Sequence, residues 1–432
     1  MNIQRQLRVT IGQSSTLVGE LHYVKQGQRE HSLFAYDAHW LRSPQGFNVS
    51  PDLAWQAGHQ VRKPPTPQDS RFLLALADTE PDAWGRRVIA RAHAKSRQRN
   101  PALAALTELD YLCAVDDHSR VGALRLQDEQ GRHLGGAEAG QRHTPPLIEL
   151  DQALAASQAL ERKQESEQDL RYLLGKGTSL GGMRPKCTVV DEDGHLALGK
   201  FPSIADDRCV TRGEILALEL ARRAGIQAAA GRVLMLSGQP IALIRRFDRA
   251  SAARIPYLSA ASMLQSARGA EHSYTEVVDA MHRHGQHPVQ DAQALWRRLA
   301  FNHLITNVDD HLHNQGFLYA GNGQWQLAPA FDLNPFPDKE QASKTWLSED
   351  TGPITDVREL LAAAPRFHLT EPQARHVLHD VVTSLAAWRQ VATSPQIGMS
   401  PRDLEDFAPA FDHPQFAIAK QWAEGSAASP GR

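Results

Sequence analysis

Asp309, Asn314 and Asp332 are the residues whose types and spacing carry the most chemistry. The segment Asn307-Val308-Asp309-Asp310-His311-Leu312-His313-Asn314 puts an aspartate five residues before an asparagine, and Ala330-Phe331-Asp332 adds a carboxylate on the next apolar run. A phosphoryl-transfer centre uses such a set. One carboxylate orients an attacking hydroxyl and accepts its proton, while an amide oxygen and a second carboxylate hold the Mg2+ that bridges the ATP phosphates. Magnesium takes oxygen ligands in near-octahedral array, so Asn314 and Asp332 suit it better than the surrounding histidines. Two other readings of the segment stay open. It could be a polar turn after a helix, or a metal-hydrolase site built from His303, Asp309, His311 and His313.

Phosphoryl transfer also needs a cover for the phosphates and a cation to reach them. Gly175-Lys176-Gly177-Thr178-Ser179-Leu180-Gly181-Gly182 is a candidate cover, because glycines let backbone N–H groups approach phosphate oxygens. It departs from GxGxxG by one extra residue before the third glycine, and a plain loop remains open. Lys200 ends the alternating run His195-Leu196-Ala197-Leu198-Gly199-Lys200-Phe201, one hairpin downstream, where such a cation belongs. Glu214 on the next helix could pair with it, with Glu219 as the other candidate, and both could instead be solvated. The Gly194–Lys200 stretch mimics a Walker A motif, but Phe201 stands where a magnesium-binding hydroxyl is required.

The flanking patterns place these groups. Apolar residues at helical spacing over 295–305 predict a buried helix that delivers Asp309 onto a loop. Two short apolar runs around Ala320-Gly321-Asn322-Gly323 predict a tight hairpin that returns Asp332 towards Asn314. Strands are expected over 186–190, 195–201, 232–236 and 241–247, with a helix over 211–224 stopped by Gly225. Residues 7–36 alternate like short strands, 72–113 and 147–175 read as helical, and 128–146 reads as a linker. Beyond about residue 260 the pattern is mainly helical.

The composition is that of a soluble enzyme. Of 432 residues, 41% are hydrophobic and 22% charged, and the formal charge of −2 provides no global basic field for nucleic acid. No apolar run reaches the ~18 residues of a membrane span. The N-terminus lacks a signal-like apolar core. Cys113, Cys187 and Cys209, without CxxC spacing, suit a reducing compartment. A cytoplasmic location, away from membranes, is expected.

With the glycine loop, Lys200, Arg246-Phe247-Asp248-Arg249, the 309–314 segment and Asp332 in this order, the chain resembles the HipA-type kinases of bacterial toxin–antitoxin modules. Further similar segments are Leu76-Ala77-Asp78-Thr79-Glu80-Pro81-Asp82-Ala83-Trp84-Gly85-Arg86-Arg87, Leu109-Asp110-Tyr111-Leu112, Ser119-Arg120-Val121-Gly122-Ala123-Leu124 and the loop from Ser179 to Lys186. The resemblance implies a two-lobed α+β protein-kinase-like fold: an N-terminal subdomain over 1–127, a kinase N-lobe part over 147–257 and a helical catalytic lobe over 258–425. It implies a Ser/Thr kinase using ATP and Mg2+ that restrains growth, with a protein substrate such as an aminoacyl-tRNA synthetase. Its partners would be a HipB-like helix-turn-helix antitoxin and, through that complex, operator DNA. By the same resemblance Asp309 and Lys200 are catalytic, Asn314 and Asp332 hold the metal, and Ser179 is autophosphorylated. Gly181, Gly182, Lys186, Lys200, Glu214, His311, Asn314 and Asp332 would contact the nucleotide. The linker meeting adenine is expected near residues 258–263. His313 stands where many similar chains carry lysine, and Met183-Arg184-Pro185 departs from common versions of the loop. Two alternatives remain: a weakly active or inactive partner of a DNA-binding antitoxin, and a metal-dependent hydrolase. For the former, Arg86, Arg87, Arg91, Lys95, Arg97 and Arg99 could help hold DNA phosphates, or be a solvated helix face.

Overall fold

Leu7 and Val9, Leu21 and Tyr23, and Phe34 and Tyr36 are all buried, as strands with one face on a core require. They belong to strands Asn2–Ile11, Thr16–Gln26 and Arg29–Tyr36 of an antiparallel five-stranded sheet. His59–Arg62 forms one edge and Leu124–Gln127 the other. The structure, a computed structural model, describes residues 2–136, 144–174, 182–251, 253–337 and 342–424.

A second antiparallel sheet has the spatial order Lys186–Val190, Leu196–Lys200, Gln239–Arg245, Gly231–Leu236. The turn between its first two strands closes on Asp191, whose carboxylate accepts from the His195 backbone N–H at 2.7 Å. Gly194 takes φ +81 there, a backbone conformation that glycine adopts without a Cβ clash. The two-residue period then sorts the side chains. Val189, Ala197, Ile241 and Leu243 pack with Leu150 and Leu154 of helix Leu150–Glu161. Leu198, Lys200 and Ile244 point to the other face, towards Glu214 of helix Val210–Arg223.

The remainder is mostly helical, with Tyr274–His284, Pro288–Leu304 and Glu371–Ala386 at its centre. Helix Pro288–Leu304 buries Leu295, Trp296, Leu299 and Ala300 at helical spacing. Trp296 Nε1 donates to the Leu360 carbonyl at 2.9 Å, so even the indole N–H is satisfied. The helix end delivers the chain into the loop that carries Asp309. Strands Gly316–Gly321 and Gln324–Leu327 form the expected hairpin. Asn322 and Gly323 both have positive φ, +54 and +73, as a type I′ turn demands. Tyr257–Ser259 adds a third strand to this hairpin, straddling the boundary expected between residues 257 and 258.

Buried charge fastens the first sheet's return to the second lobe. Asp248 accepts from Arg246 Nε, the Gly122 backbone N–H and Arg249 Nη1, each at 2.7 Å. Arg246 Nη1 donates to the Ser119 carbonyl at 2.8 Å. Burial alone would push the Asp248 carboxyl up, but the Arg246 and Arg249 guanidiniums outweigh it and hold it far below the usual range. Removing one partner strands the other charges in the interior. Asp248→Asn should therefore lower unfolding stability by ~3–5 kcal/mol in urea titrations, and an unchanged midpoint would contradict this clasp.

Candidate active site

Lys200 ends an inner strand of the second sheet, opposite Lys186 on one neighbouring strand and Ala242 on the other. Its ammonium Nζ lies 2.6 Å from Glu214 Oε1 and 2.7 Å from Asp332 Oδ1. All three side chains are largely buried. Burial works against the Lys200 charge, yet Asp332 and Glu214 outweigh it and raise the group above the ordinary lysine value. The reciprocal effect falls on Asp332: burial pushes its carboxyl up, but Lys200 holds it at about 2. Asp332 has φ +54, a left-handed conformation that aspartate tolerates at modest cost. Asn334 Nδ2 donates to Asp332 Oδ1 at 3.1 Å and supports that orientation. Glu219, the other candidate partner for Lys200, instead pairs with Arg222 and Arg223 on its own helix.

Asn314 closes the short 3₁₀ turn Leu312–Asn314. Its Nδ2 donates to the Asp309 carbonyl at 2.8 Å, which leaves its side-chain oxygen for other partners. Lys200, Glu214, Asn314 and Asp332 line one cavity. Leu198, Ile244, Phe247 and Phe331 form its apolar end. Charged and apolar side chains thus meet in one cavity of about 40 Å³. The Asp309 side chain is 36% exposed and ion-paired with Lys344. It stands beside a larger cavity of about 690 Å³, lined by His311, His313, Lys344 and Asp78 among others. Phe331 is common to both cavities.

The remaining expected groups are spread more widely. Lys186 pairs with Asp82 at 2.8 Å and is not among the residues lining the Lys200 cavity, yet its charge still helps to hold the Asp332 carboxyl down. His311 lines the larger cavity, with Nε2 3.9 Å from Asp309 Oδ1, and is not among the residues that line the Lys200 cavity. Residues 258–263 are no linker at the Lys200 cavity. They form a strand end and a short buried helix, whereas residues 244–248 line that cavity. Ser179 and Gly181, with the rest of 175–181, lie outside the described residues. Gly182 is described, at φ +113, and a Cβ there would meet Lys186 Nζ at 2.8 Å. The hydrolase constellation is not assembled. His303 faces Gln415 at 3.4 Å, and among the described residues no group of three or more His, Cys, Asp or Glu could hold a metal. On helix Ala83–Arg99 the cations turn to internal partners: Arg86 to Glu108, Arg91 to Glu165, Arg99 to Glu167, Arg87 to the Leu160 carbonyl and Lys95 to the Glu165 carbonyl. Arg91, Arg97 and Arg99 remain exposed on that helix.

The Asp332 carboxyl is depressed from 3.8 to about 2 in the folded chain. A depressed folded value means its contribution is complete above the unfolded pKa and lost as pH falls from about 4 to about 2. The stability gap between wild type and Asp332→Asn should therefore shrink by roughly 2 kcal/mol across that window. Urea midpoints taken from pH 5 downward read this, and a gap independent of pH would contradict the ion pair.

Comparison with known proteins bears on the family and the fold. Residues 9–128 match the family model "HipA N-terminal domain" and residues 178–389 match "HipA-like C-terminal domain". Among solved structures, HipA of Shewanella oneidensis MR-1, in a complex with HipB and its operator DNA, superposes with a TM-score of 0.65 at 14% identity. That superposition covers 96% of each chain, so the two share one fold, two-lobed, α+β and kinase-like. A Haemophilus influenzae protein that carries a provisional kinase name is 22% identical over 188 residues, 38% of this chain. The match spans 55% of that relative, about half its length. On the two domain matches together, the chain belongs to the HipA family.

Proposed function

We propose that this chain is an ATP- and Mg2+-dependent Ser/Thr protein kinase that acts as the growth-inhibiting toxin of a toxin–antitoxin module. The observation that carries the reading is the Lys200 ammonium held between Glu214 and Asp332 at the wall of a cavity that Asn314 also lines. An ammonium has three donors. Two serve the carboxylates and the third is left for a phosphate oxygen. Asn314 and the ionised Asp332 are oxygen donors of the kind magnesium prefers, and substrate phosphates and water would complete its shell. When bound, the metal would neutralise charge on the phosphates.

The chain's own groups do the rest. Asp309 accepts a hydrogen bond from the acceptor hydroxyl. That oxygen bonds to the γ-phosphorus, the bond to the β,γ-bridging oxygen breaks, ADP leaves, and the hydroxyl proton passes to Asp309. The apolar end, with Leu198, Ile244, Phe247 and Phe331, would hold the adenine.

The proposed protein target is a translation component such as an aminoacyl-tRNA synthetase, and Ser179 the site of autophosphorylation. The Shewanella relative's complex with HipB and operator DNA supports a HipB-like helix-turn-helix antitoxin as partner, reaching DNA through that partner. The chain would work in the cytoplasm. Among the described residues no helix is long and apolar enough to cross a membrane.

Incubation with γ-labelled ATP should label the wild-type chain at Ser179. Asp309→Asn should cut the labelling rate by roughly 10²–10⁴-fold while ATP still binds. Wild-type labelling by Asp309→Asn would remove Asp309 from the role assigned to it.

A further inference from the structure

Burial separates the two neighbouring aspartates of the loop. Asp310 points inward and is 3% exposed. Its carboxylate accepts from the Tyr274 hydroxyl at 2.8 Å, the Ser343 hydroxyl at 2.6 Å and the Lys344 backbone N–H at 3.2 Å. Its carbonyl accepts from the Thr345 hydroxyl at 2.9 Å. Three successive residues, Ser343, Lys344 and Thr345, are thus fastened to one buried aspartate. The fastening fixes where the Lys344 side chain starts, and its ammonium meets Asp309 Oδ1.

An ion pair whose partners are 54% and 36% exposed adds little to stability. The Asp310 side chain and carbonyl accept five hydrogen bonds, the Tyr274 hydroxyl reaching the carbonyl as well, which is more than such a pair needs as a mere surface contact. Its geometry has a chemical consequence instead. A half-exposed aspartate would otherwise sample several rotamers. With Oδ1 engaged by Lys344, Oδ2 is the oxygen left to face a hydroxyl. Lys344, the ion-pair partner of Asp309, and His311 also line the cavity of about 690 Å³, which shares Phe331 with the Lys200 cavity. An acceptor entering by that cavity would meet Asp309 already oriented.

We propose that Lys344 is a positioning residue for phosphoryl transfer: anchored through Asp310, it holds the Asp309 carboxylate with one oxygen turned to the acceptor hydroxyl. This rests on the kinase reading given above. Lys344 acts through Asp309 and is not itself assigned contact with the reacting atoms.

The test uses the full chain with γ-labelled ATP, with the chain itself and dephosphorylated casein as acceptors. Lys344→Met should lower kcat at least about tenfold, with KM for ATP and the thermal unfolding midpoint unchanged. Lys344→Arg keeps the charge and should recover most of kcat. An active wild type with an equally active or faster Lys344→Met overturns this inference alone; the faster case would make the contact a brake. A loss of kcat that tracks a lowered unfolding midpoint, or that Arg does not restore, also overturns it. A wild type that transfers no phosphate to either acceptor removes the kinase reading and this inference together.

Discussion

A buried ammonium between two carboxylates is the constraint on which the rest of the structure depends. Lys200 comes from the sheet, Glu214 from the helix packed on it and Asp332 from the return of a distant hairpin. Removing Lys200 leaves two carboxylates unpaired in the interior, which is among the costlier defects a fold can carry. The ion triad therefore ties three parts of the chain into one register. It also fixes the charged end of the cavity before any ligand arrives, so little reorganisation is left for binding.

Around this centre the fold separates two environments that a phosphoryl-transfer site needs. Phe331 lines both the cavity with the ammonium and Asn314 and the larger one. The larger cavity includes Lys344, the partner of Asp309, and its wall is shared by the N-terminal sheet region and the helical lobe. The Arg246–Asp248 clasp, bound to the backbone of Ser119 and Gly122, holds that N-terminal region against the sheet of Lys200. Its role is architectural, and Arg246 and Asp248 also line the Lys200 cavity.

Much of this was legible in the amino-acid order. Asp309, Asn314 and Asp332 could be singled out because the chemistry demands particular residue types at short separations, and the Asn322-Gly323 turn shows how the last returns. Lys200 with Glu214 followed from a strand end leading into an amphipathic helix. What was illegible depends on distant partners. The basic face of helix Ala83–Arg99 looked available because Glu165 is 74 residues from Arg91 and nothing local announces the pairing. Lys344 carries no motif, and its place beside Asp309 is visible only once Asp310 is seen to anchor it. Residues 258–263 read as a linker because a three-residue strand has too little periodicity to declare itself. The 246–249 motif was singled out in the sequence, but its place in the wall of the Lys200 cavity was missed because that depends on the fold bringing it beside Asp332 and Asn314.

The most direct measurement is anomalous scattering from crystals grown with manganese and a non-hydrolysable ATP analogue. The account predicts a manganese peak within bonding distance of the Asn314 side-chain oxygen and the Asp332 carboxylate, with the analogue's phosphates reaching Lys200 and its base among Leu198, Ile244 and Phe247. An empty cavity under saturating analogue, or a metal held by His303, His311 or His313 instead, would contradict it.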